Sequence, residues 1–141
     1  MRVAALIGVL LTSGCIGCAT FRDLPPETRA QEMTWQSLHA IDAAQTLSVA
    51  RDPDCYSEAV IGPLIGRHPP QGLVLAWAAG ASLLHFAITN YLTEYASTTG
   101  VRIWQGISIG SSAYFVSHNY SNGLRVFGHN EPPVGACGER W

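Results

Sequence analysis

The stretch GLVLAWAAGASLLHFAITNYL, residues 72 to 92, holds no Asp, Glu, Lys or Arg and lies between Arg67 and Glu94. As a helix it would be about 30 Å long, the thickness of a hydrocarbon core. A second, weaker stretch from Ile103 to Tyr120, IWQGISIGSSAYFVSHNY, is also free of those four residues. The polar segment LTEYASTTGVR joins the two, so the pair predicts a helical hairpin.

Upstream, ETRAQEMTWQSLHAIDAAQTLSVAR contains neither Gly nor Pro, which predicts one helix from Glu27 to Arg51. Trp35, Leu38, Ile41 and Val49 give it an apolar side, and His39, Asp42 and Thr46 follow at helical spacing on an adjoining stripe. It is too polar to cross a bilayer alone. Residues 52 to 70, with prolines at 53, 63, 69 and 70, read as a connecting loop with at most one helical turn, around Tyr56 to Ile61. The expected fold is therefore mainly α: an amphipathic helix followed by an apolar hairpin, packed as a small three-helix bundle.

The beginning of the chain has a different pattern. Arg2, then an apolar run from Val3 to Leu11, then small residues have the layout of a bacterial export signal. Leu11-Thr12-Ser13-Gly14-Cys15 resembles a lipobox, which would place an acyl anchor on Cys15. Cleavage after Ala19 without acylation and retention as a short anchor are the two other readings, and all three imply export. The chain divides into an export signal at 1–19, a linker at 20–28, a helical domain at 29–125 and a loop tail rich in Gly and Pro at 126–141.

Gly72, Ala76 and Gly80 recur every four residues, and Gly106 and Gly110 repeat the spacing. This predicts close packing of the two hairpin helices, as small residues allow in lipid. Charged residues form only 13% of the chain and apolar residues 48%, which leans toward a hairpin in or against a membrane rather than a soluble bundle. The net charge is −2 and every basic residue is Arg. Without Lys there is no Schiff-base or P-loop lysine, and the scattered arginines form no nucleic-acid footprint.

His85 stands near the middle of the apolar stretch, with Ser82 and Thr89 on the same face. A polar group there must face protein or a cavity. Its expected partners are Asp42 and His39 on the first helix, or the polar side chains of the third. His39, Asp42, Glu58, His68, His85 and His118 together have the residue types of a metal site, but no tight ligand motif, so neither metal nor cofactor is expected. Gly106-Ile107-Ser108-Ile109-Gly110 matches the G-x-S-x-G of hydrolases in letters, without the strand that would make it a nucleophile elbow. Cys55 and Cys137 could form a disulfide in an oxidising compartment.

Trp35, the run Leu38-His39-Ala40-Ile41-Asp42-Ala43-Ala44-Gln45-Thr46, Glu58, Pro63-Leu64-Ile65-Gly66 and His68-Pro69 resemble a pattern in small uncharacterised bacterial and phage proteins labelled lipoproteins or membrane proteins. The likeness covers residues 35 to about 125 and departs at Gly62, where Asn is expected. It implies no activity. The expectation is an exported, lipid-anchored, periplasm-facing helical protein of the bacterial cell envelope. Its partners would be membrane lipid and another envelope protein, in a binding or structural role. The alternative is a small membrane-embedded hydrolase or metal-binding protein using a His/Asp/Ser cluster between helices.

Overall fold

The Pro25-Pro26 pair, expected inside the linker, starts the first helix in the computed structural model, which describes residues 21–58, 61–127, 129–132, 134 and 137. Helix α1 is Pro26–Val49. A proline in the first helical turn loses no hydrogen bond, and Glu27 beside it suits the positive end of the helix dipole. The linker therefore ends at Pro25, earlier than residue 28. The export signal and Cys15 lie outside the described residues.

Helix α2 is the short Gly62–Ile65, α3 is Gln71–Tyr95 and α4 is Thr98–Ser121. Among the described residues of the 52–70 loop the short helix starts at Gly62, with Pro63 in its first turn. The connection between α3 and α4 is only Ala96 and Ser97, shorter than the polar segment suggested. Ser97 explains this: its Oγ accepts from the Gly100 backbone N–H at 3.1 Å. That cap lets the Thr-Thr-Gly stretch enter the helix.

The architecture is mainly helical, with no strand among the described residues. Helix α1 runs parallel to α4 and antiparallel to α3, and packs on both. The register follows from paired contacts: Glu27 with Arg102, Asp42 with Asn119 and Ser48 with the Arg125 carbonyl along α4, and Gln36 with Ser82 and His39 with Ala78 along α3. A small apolar cluster of Leu47, Ile65 and Val74 closes one end. At the other, Phe21 stacks on Phe86 with ring centroids 4.5 Å apart.

Two features tie the tail to the bundle. Gly123 has φ +83°, and a Cβ there would collide with the Glu131 carbonyl, while the Glu131 N–H donates to the Gly123 carbonyl at 2.9 Å. Cys55 and Cys137 are joined as a disulfide. Closing a loop of that size contributes about 4 kcal/mol by restricting the unfolded chain.

The glycines correct an expectation. Gly72, Gly80, Gly106 and Gly110 do not pack the hairpin, for a Cβ built on any of them meets nothing within 4 Å. On α3 the buried positions are Val74, Ala78, Ser82, His85, Phe86 and Thr89; Gly72, Ala76 and Gly80 fall on the opposite face.

Candidate functional site

Glu32 is the centre of the interior. One turn into α1 from Thr28, which is also buried, it has no solvent exposure. An isolated carboxylate in that position would be prohibitive, and four donors resolve it. His85 Nδ1 lies 3.0 Å from Oε2, Thr89 Oγ1 donates at 2.7 Å and Gln105 Nε2 at 2.9 Å, and Gln36 Nε2 donates to Oε1 at 2.8 Å. Burial pushes this carboxyl up, but the His85 hydrogen bond and charge, with Gln105 and Gln36, outweigh it and hold Glu32 below the ordinary carboxylate range. The network extends through Gln105 and Trp104 Nε1, which both donate to Thr89 Oγ1, and through Ser82, whose hydroxyl donates to Gln36 Oε1.

A carboxylate only accepts, so His85 Nδ1 carries a proton and donates it to Glu32. Trp35 stacks on the imidazole with centroids 3.6 Å apart, and Trp104 stacks on it at 4.8 Å. The ring is fixed in place. Its Nε2 is nevertheless buried without a hydrogen-bond partner.

The ring borders a cleft of about 590 Å³ between the three long helices, lined among others by His39, Asp42, Thr46, Glu58, Trp77, Ser108, Phe115 and His118. Asp42 Oδ1 accepts from Asn119 Nδ2 at 2.9 Å. Burial, then the nearby Glu58 charge, raise its carboxyl to about 6, against the Asn119 hydrogen bond. Glu58 accepts from Thr46 Oγ1 at 3.4 Å and from the Ile61 N–H at 3.3 Å. His39 Nε2 donates to the Ala78 carbonyl at 3.0 Å, and burial holds it below the usual imidazole range.

Five of the six expected site residues, His39, Asp42, Glu58, His85 and His118, therefore border one cleft. His68 does not: it is exposed in the loop before α3. The expected contact of His85 with Asp42 or His39 is also corrected, since its partner is Glu32. The helix register explains why. Ten residues separate Glu32 from Asp42, about 15 Å along α1, so α3 presents Ala78 rather than His85 near that level. Among the described residues no group of three or more His, Cys, Asp or Glu could hold a metal ion. Ser108 lines the cleft in the middle of α4, not on a strand-to-helix elbow, and His85 Nε2 is not bonded to it.

Comparison of the chain with protein-family models, curated proteins and solved structures finds no match. The outer surface supplies the remaining information. Leu73, Leu75, Leu84, Ile103, Ile107, Tyr91 and Tyr114 are exposed along α3 and α4, and α3 is long and apolar enough to cross a membrane, with a third of its most apolar window buried. Polar Gln45, Gln105, Glu32 and Thr89 are among the most completely buried side chains. These polar groups share the interior with apolar ones such as Trp35, Leu47, Val74 and Phe86.

Proposed function

We propose that the chain is an exported, lipid-anchored helical protein of the bacterial cell envelope with a binding role, lying along the membrane with the outer face of α3 and α4 against lipid and α1 toward the periplasm. The observation that carries this reading is the row of exposed apolar side chains on those two helices; contiguous exposed apolar surface of this kind favours a membrane or partner.

The orientation rests on a topological argument. Helix α1 extends the length of the bundle, about 36 Å for its 24 residues. A bundle standing across the membrane would put the chain start and Cys55 on opposite sides. Acylation of Cys15 and oxidation of Cys55 with Cys137 both belong to the periplasmic side. Lying flat satisfies both. The hydrolase and metal readings draw no such support, because Ser108 is mid-helix and, among the described residues, no three His, Cys, Asp or Glu side chains are placed to share a metal ion.

Phase separation in a cloud-point detergent, with mass spectrometry of the mature N-terminus, tests the proposal. The protein is expected in the detergent phase with an acyl mass on Cys15, and Cys15→Ser should lose that mass. A chain starting at Thr20 and remaining in the aqueous phase would refute the reading.

A further inference from the structure

Among the described residues the hydrogen bonds that join α3 to α4 all reach Thr89, from Trp104 Nε1 and Gln105 Nε2. N-terminal to Thr89, α3 is held by α1 instead, whose Gln36 and His39 donate to the carbonyls of Ser82 and Ala78. Beside that stretch lies a groove of about 380 Å³, lined among others by Ala76, Gly80, Leu84 and Ile88 of α3, Trp104 of α4 and Trp35 of α1. Leu84 is 62% exposed, so the groove opens on the apolar outer face. No Asp, Glu or Arg lines it. Of the polar side chains at its wall, His85 is buried and donates to Glu32, and Trp104 donates to Thr89. A charged or strongly hydrogen-bonding ligand would give up its hydration here without replacement, whereas an aliphatic one would gain by leaving water.

Size selects among aliphatic occupants. From Ala76 to Ile88 the groove follows α3 for about 18 Å, close to the roughly 15 Å that an acyl chain spans in one leaflet, half the hydrocarbon core. An apolar cavity of about 150 Å³ takes one benzene, so 380 Å³ corresponds to about fifteen carbons. A partner helix about 10 Å across would need roughly 800 Å³ for two turns, about twice the groove. We infer that this groove binds one acyl chain of a bilayer lipid, seated along Ala76, Gly80 and Leu84 with the indoles of Trp35 and Trp104 at its walls. A Cβ at Gly80 would meet nothing within 4 Å, so the absent side chain leaves space that the acyl chain fills. The bilayer is its source because the groove opens on the face turned to lipid, and the inference rests on that reading.

Tryptophan fluorescence of the Cys15→Ser protein in a neutral detergent, titrated with phosphatidylcholine brominated on one acyl chain, tests the inference, since bromine quenches an indole that it touches. Quenching should saturate at one lipid per protein, be reversed by unlabelled phosphatidylcholine and be unaffected by glycerophosphocholine, which has the same headgroup and no chains. The acylated parent should bind the lipid equally well. Gly80→Leu fills the groove from an exposed helical position, and should weaken the lipid at least tenfold while melting no lower than Cys15→Ser alone. Quenching that rises without saturating, persists in Gly80→Leu or is reversed by glycerophosphocholine would overturn the inference. Lipid binding confined to Cys15→Ser would also overturn it, by giving the groove to the protein's own acyl chain. Vesicle flotation separates the two readings: protein that floats without a saturable lipid site keeps the membrane face and loses the groove, and protein that saturates without floating does the reverse.

Discussion

The outer face of α1 and the outer face of the α3–α4 hairpin cover the same interior but have different chemistry. Along α1 the exposed positions include Ala30, Thr34 and Ser37, and Thr34 and Ser37 return their hydroxyls to the carbonyls of Ala30 and Met33 at 2.9 Å. Along the hairpin they are Leu84, at 62% exposure, and Ile107, at 68%, with tyrosines toward both ends. Met33, at 53% exposure, and Ile41, at 37%, are open on α1 as well, but the large apolar groups are more numerous on the hairpin. The interior pins the helices in register, and the exterior decides orientation.

If that division holds, interior substitutions change stability and exterior ones change membrane affinity. The largest effect is expected at Glu32. Glu32→Ala leaves His85, Thr89 and Gln105 without their common acceptor and should destabilise the fold by about 3–5 kcal/mol, the usual result of breaking a buried pair. Chemical denaturation monitored by circular dichroism measures it. A loss under 1 kcal/mol would mean that the network is incidental.

Asp42 is expected to act in the opposite direction. Its folded-state pKa, about 6, is above the ordinary aspartate value of 3.8. The folded state therefore holds the proton more tightly, and stability falls as pH rises from about 4 to about 6. That difference corresponds to at most about 3 kcal/mol. Asp42→Asn should raise stability at pH 7 and have little effect at pH 4. A residue that costs stability while bordering a cleft fits a binding role.

The smallest effect on folding belongs to the exterior. Leu84→Arg with Ile107→Arg should shift the unfolding free energy by less than about 0.5 kcal/mol per site, as exposed positions do. In a protein lacking the acyl anchor through Cys15→Ser, the same pair should lower vesicle binding tenfold or more in a flotation assay. Unchanged flotation would move the membrane contact away from the hairpin.

How much of this was legible in the sequence differs by feature. Twenty-one uncharged residues announce α3 without ambiguity, and His85 within them marks a polar contact. Its partner was hidden because Glu32, in a helix also containing Glu27 and Asp42, reads as an ordinary solvated charge. A signal was available: the stripe Thr46, Asp42 and His39, continued backward at helical spacing, reaches Trp35 and then Glu32. The glycine spacing misled for a related physical reason. Periodicity identifies a face of small residues but not what it meets, and here Gly80 and Gly106 face outward. Ser97 shows a third case, where one capping hydroxyl converts a polar segment into helix.

The most direct test of the orientation is the accessibility of nitroxide labels introduced singly at Leu84, Ile107, Thr34 and Ser37, in protein reconstituted in vesicles with Cys18 replaced by Ser. Oxygen, which concentrates in lipid, should dominate relaxation at Leu84 and Ile107, while a water-soluble nickel chelate should dominate at Thr34 and Ser37. Four labels all reached by oxygen would show a bundle immersed on every side, and four all reached by nickel would show one that does not meet lipid; either result contradicts the account.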